Sequence, residues 1–253
     1  MGKSAAAVWG FPLGRIPRQV EMARADGRGG SAAAQIQLRV LALIPEDPLC
    51  QLRKPYHRGR VTGHKQTLID TARWHGVSDA VVAMDYCLHQ QIVTKQQLKS
   101  ILDTYQGFRG RKFSAQAVQL SHAATESPRE SMIRVRIWEC GLPAPHVQAT
   151  LRNERGEFIG RADLFYPEFS LAIEYDGEAK YTGAFGISPE GAMYDEMRRQ
   201  RELLAAGIRL IRVDRENYRD QTWLWNLRRE IEVGTRAANP FPRSQWTSEG
   251  VAW

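Results

Sequence analysis

Between Ser127 and Val233 the chain carries helix and strand signals in the order α-β-β-β-α-β-α, and few folds accept that order. Ser127-Pro128-Arg129-Glu130 has a capping serine, proline at the first helical position and an acidic residue three positions after the cap. This predicts a helix that Gly141 stops. Three strands are expected at His146–Leu151, Phe158–Phe165 and Ser170–Asp176, the first two joined by a turn over Asn153–Gly156. Ser188-Pro189-Glu190 opens a second helix that Gly207 closes. Ile208–Val213 reads as a fourth strand and Thr222–Val233 as a last helix. Helices separated by strands in this way predict an α/β domain with a central mixed sheet flanked by helices.

The first half has a different character. Residues 1–125 hold 17 Lys and Arg against 8 Asp and Glu, whereas residues 126–253 hold 18 against 20. The net charge of +7 therefore comes from the first half. A basic half can neutralise phosphates, and a soluble protein of high pI is the plain alternative. Met1–Gly14 reads as a short helix closed by Gly and Pro, and Gln19–Ala23 and Gln35–Leu43 as strands. Asp26–Ser31 between them reads as a basic loop or hairpin turn. Lys65–Tyr105 looks helical, with a capping box of Thr94 and Gln97. Gln106–Lys112 reads as a basic linker. The expected division is thus a basic α+β region over 1–112, an α/β domain over 113–236 and a loosely attached tail over 237–253.

Several classes are excluded early. No stretch approaches the ~18 apolar residues of a membrane helix, and Met1–Gly14 lacks the apolar core of a signal peptide. Cys50, Cys87 and Cys140 form neither a CxxC pair nor a disulfide framework, which fits a cytoplasmic protein. The six histidines show no zinc spacing.

Three carboxylates stand out. Asp163 falls in Gly160-Arg161-Ala162-Asp163, and Glu174 and Asp176 in the strand Leu171–Gly177. Alternation puts Glu174 and Asp176 on one face, about 7 Å apart. Acidic groups in an apolar strand are costly unless paired or metal-bound, and a solvated strand end is the competing reading.

These residues carry a resemblance. Glu126–Glu130, Pro145–Gln148, Gly160–Asp163, Leu171–Gly177, and Glu196 with Arg199, Leu203 and Gly207 followed by Leu210–Arg212 appear in order. Together they resemble the very-short-patch-repair-like endonuclease domain of the PD-(D/E)xK restriction-endonuclease superfamily, over about 90 residues. Ser4–Gly10 and Val61–Arg73 resemble AbiEi-family antitoxin proteins, in which a winged helix-turn-helix precedes this region; here the winged helix-turn-helix is expected to be missing.

The resemblance implies a restriction-endonuclease-like fold and Mg²⁺-dependent (or Mn²⁺-dependent) DNA cleavage. Asp163 and Glu174 would hold the metal, with the Tyr175 carbonyl as a further ligand. Asp176 stands where the superfamily has its lysine, and Lys180 is the candidate replacement cation. Glu130 could join the site or simply complete its helix cap. Arg199 could meet a phosphate or form an i,i+3 ion pair with Glu196. DNA contacts are expected from Arg53, Lys54, Arg58, Arg60, Arg109, Arg111 and Lys112. The alternative function is a non-catalytic DNA-binding or antitoxin-like regulator on a degenerate nuclease fold. No small-molecule cofactor is expected, and a second copy or a partner protein is a candidate associate.

Overall fold

Thr94 accepts the Gln97 N–H and Gln97 accepts the Thr94 N–H, so the expected capping box starts a helix over Lys95–Asp103. The computed structural model that shows this describes residues 1–23, 30–41, 44–52, 59–176, 189–237 and 240–253, with backbone alone for 31–33, 189–193, 195 and 236–237. Contacts divide the chain into two units, Met1–Arg136 with Trp253, and Ile137–Ala252. Among the described residues the architecture is mixed α/β.

The first unit opens with helix α1 (Gly2–Val8). A three-stranded sheet follows, built from β1 (Val20–Ala23), β2 (Gly30–Ala33) and β3 (Ile36–Arg39) in the order β1-β3-β2. β1 runs parallel to β3, and the hairpin lies between β2 and β3. Gly30 and Ser31, expected in a loop or turn, therefore belong to a strand; residues 26–29 of that segment lie outside the described residues. A short ribbon pairs β4 (Cys50–Gln51) with β5 (Arg60–Val61). Four helices complete the main body: α2 (His64–His75), α3 (Val77–His89), α4 (Lys95–Asp103) and α5 (Arg111–Leu120). Leu68, Ile69, Ala72, Val81, Met84, Leu98, Ala117 and Leu120 are buried among them. Gly76 turns α2 into α3 with φ +88°, a conformation that glycine adopts without strain. Asp47 accepts the Gln66 N–H at 2.6 Å and so caps the start of α2.

Helix α6 (Pro128–Glu139) follows. Its residue Arg134 donates to the Asp85 carboxylate of α3 and to the Leu120 carbonyl. Both charged side chains are buried, so this pair ties α3 to α6 in a place water does not reach.

The second unit is built on a five-stranded sheet. Its strands are β6 (His146–Arg152), β7 (Phe158–Tyr166), β8 (Leu171–Tyr175), β9 (Arg209–Val213) and β10 (Trp246–Thr247), in the order β10-β6-β7-β8-β9. β6 to β8 form an antiparallel meander, and β8 pairs β9 in parallel. A parallel pair needs a crossover, and helix α7 (Pro189–Ala205) lies on that connection. Two further helices, α8 (Arg215–Asp220) and α9 (Thr222–Ala237), follow β9. Arg212 reaches α7 at Glu196, while Arg209 reaches α9 at Glu230. Three residues apart on one strand, these arginines point to opposite faces, so α7 and α9 cover the two sides of the sheet.

The segment 237–253 corrects the expectation of a loose tail. Phe241 and Trp246 are buried with Ala149, Leu151, Phe165 and Leu203 in one apolar cluster. Trp246 pairs Leu151 as an edge strand, and Phe241 and Trp246 pack edge-on against Phe165. Between these two aromatic anchors the chain makes a short 3-10 turn over Arg243–Gln245.

Candidate active site

β7 and β8 bring the first two carboxylates together. Leu164 is opposite Ile173, so the register continued by one step brings Asp163 across from Glu174. At that step the Asp163 carboxylate itself accepts the Tyr175 N–H at 2.8 Å. A side chain thus takes over where the backbone ladder ends, and it lies beside the Glu174–Tyr175 peptide. Asp176 follows at once; its N–H donates to the Val213 carbonyl at 2.9 Å, and the residue is half-buried.

Glu174 is buried and held from above by α7. Arg199 grips it through two parallel hydrogen bonds, both 2.6 Å long. This fork-to-fork geometry is the strong form of a carboxylate–guanidinium pair. The same guanidinium donates to Glu196 at 3.0 and 3.1 Å, and Arg212 of β9 donates to Glu196 as well. Two carboxylates and two guanidinium groups therefore alternate across the face of β8 and β9. Hydrogen bonding to Glu174 pushes Arg199 further above its ordinary range. Burial works to raise Glu196, yet the hydrogen bonds and charges of Arg199 and Arg212 hold it below the usual carboxylate value.

The other expected site residues fall as follows. Glu130 is buried, and Ser127 accepts its N–H at 3.2 Å, as a helix cap requires. Its carboxylate reaches one residue further than expected and accepts the Glu126 N–H at 3.1 Å. Lys180, Arg53, Lys54 and Arg58 lie outside the described residues. Arg60 is exposed on β5. Arg109 and Lys112 are exposed and Arg111 half-buried at the start of α5, with Lys112 over the Phe113 ring at 5.1 Å. Among the described residues no group of three or more His, Cys, Asp or Glu side chains is gathered to hold a metal ion. From the sequence Arg212 enters only within the Leu210–Arg212 stretch and carries no role there, because its partner Glu196 is on another element.

In chemical terms, Asp163, Glu174 and the Tyr175 carbonyl form a set of hard oxygen donors of the kind Mg²⁺ and Mn²⁺ prefer. The donors fit such an ion in kind, and Glu174 would have to exchange at least one oxygen from Arg199 to the metal.

No family model matches this chain, and no solved structure does. Two uncharacterized proteins of Mycobacterium tuberculosis, from strains CDC 1551 and H37Rv, are each 25% identical over 117 residues, 46% of this chain. The chain spans 43% of the length of these relatives.

Proposed function

We propose that this protein is a Mg²⁺- or Mn²⁺-dependent DNA endonuclease of the restriction-endonuclease-like class, working in the cytoplasm. The observation that carries the reading is the cross-strand placement of Asp163 and Glu174, with the Asp163 carboxylate drawn to the Tyr175 N–H. The free cysteines fit a reducing compartment.

Asp163 and Glu174, with the Tyr175 carbonyl, would hold the metal. When bound, a divalent cation supplies Lewis acidity at the scissile phosphate and lowers the pKa of a water. The chain's own residues do the rest. The Tyr175 N–H orients the Asp163 carboxylate. Arg199, once it yields Glu174, keeps Glu196 as an anchor and presents a guanidinium edge that can meet a phosphate. Lysines and arginines of the basic half would supply affinity for the DNA backbone.

A second reading has its own support. Both Glu174 oxygens are bonded to Arg199, the arrangement expected of a non-catalytic DNA-binding or antitoxin-like regulator in which the ion pair has replaced the metal.

One experiment separates the two. Pure protein is incubated with duplex, nicked and single-stranded DNA in Mg²⁺, Mn²⁺ or EDTA. The endonuclease reading predicts metal-dependent cleavage lost in Asp163→Ala and Glu174→Ala, with DNA binding retained. Tight, salt-sensitive binding with no cleavage of any form replaces the enzyme by the regulator.

A further inference from the structure

The geometry points to Gln148 as a positioning residue for the Asp163 carboxylate, an inference that rests on the endonuclease reading. Gln148 lies in the middle of β6 yet has φ +49°. Strand residues have strongly negative φ, and a residue with a Cβ in the left-handed region is strained. The flanking pairs are regular, Val147 opposite Leu164 and Ala149 opposite Ala162. The position skipped between them is Gln148 against Asp163. The ladder is therefore interrupted at the residue opposite Asp163, and Gln148 is buried.

Glycine would take this conformation without strain. The chain instead carries a long amide there, and backbone strain of this kind gathers at functional sites. An amide suits the task chemically. It donates to a carboxylate without neutralising it, so Asp163 can be oriented and keep its full charge for a cation. Arg199 does the opposite to Glu174, where a guanidinium cancels the charge it orients.

The test measures Mn²⁺ affinity by calorimetry together with thermal unfolding, on the full chain. Gln148→Gly removes the amide and the strain. It should melt at the same temperature or higher, yet bind Mn²⁺ roughly 10- to 100-fold more weakly, the usual effect of losing a group that orients a metal ligand. Gln148→Asn, which tolerates the left-handed region and keeps an amide, should recover part of that loss. Unchanged Mn²⁺ affinity in Gln148→Gly overturns the inference and leaves Gln148 as a kink in a strand. If Gln148→Gly fails to fold, Gln148→Asn decides: an Asn variant that folds but binds Mn²⁺ no better than Asp163→Ala also overturns it. Absence of Mn²⁺ binding in the unmutated protein, or binding that Asp163→Ala leaves intact, sinks the endonuclease reading itself and this inference with it.

Discussion

Asp85 and Glu174 are both held by arginine, and their surroundings differ. In the first unit, the Asp85 and Arg134 side chains are each 1% exposed. In the second, Glu174 is 8% exposed and Arg199 23%. Asp85 also accepts the His122 N–H at 2.7 Å, and Arg134 also serves the Leu120 carbonyl. Every partner there is internal, so neither charge has anywhere else to go. Arg199 has a second carboxylate, Glu196, already bonded, and a path to solvent. The sealed pair can only stabilise; the open one can exchange partners, as a functional group must.

The largest expected effect breaks the sealed pair. Arg134→Ala leaves Asp85 buried without its counter-charge, and urea denaturation should show a loss of about 3–5 kcal/mol. Arg199→Ala should cost less, about 1–2 kcal/mol, because solvent reaches the site and screens the stranded Glu174. Equal losses in the two variants would erase the contrast between the sites.

The pH dependence sharpens the same contrast. Burial, then the charges of Arg134 and Lys95, pushes His122 down to about 4. The unfolded chain takes up this proton near 6.5 while the folded one does not, so the unfolded state binds more protons between these values. The His122 contribution is therefore present above pH 6.5 and is lost as the pH falls toward 4. His122→Gln should flatten that part of the stability profile. Asp70 works in the opposite sense. Burial pushes it up to about 6, so its contribution is present below pH 3.8 and lost as the pH rises toward 6. Comparing His122→Gln with the unmutated protein isolates the histidine from it. In the second unit, Glu196 is held low, and its contribution is lost only on acidification below its ordinary value of 4.5.

The smallest effect belongs to an exposed pair. Arg111 and Asp103 approach to 3.6 Å with Asp103 largely in water. Asp103→Asn should change stability by at most about 0.5 kcal/mol, measured in the same denaturation series.

The second unit was more legible in the sequence than the first, for physical reasons. Pro189 opens α7 and Gly207, in the left-handed region, follows its end, while the β6–β7 hairpin turns over Asn153–Gly156, so local chemistry marks these boundaries. Helix α5 escaped notice because its N-cap is Gly110 in the left-handed region and its first turn is basic, features that read as linker. β10 has two residues, too few for any periodicity, and its place is set by pairing with β6 and by the burial of Trp246. Within the site, Asp163 and Glu174 were visible from their strands. The grip of Arg199 on Glu174 was not, because the pair is separated by 25 residues and depends on how α7 lies over β8.

Equilibrium binding of Mn²⁺ to the unmutated chain, counted per molecule, tests the central claim most directly. The account predicts one ion per chain, released by Asp163→Ala and by Glu174→Ala alike. A chain that takes up no Mn²⁺, with Glu174 remaining on Arg199 at saturating metal, would contradict it.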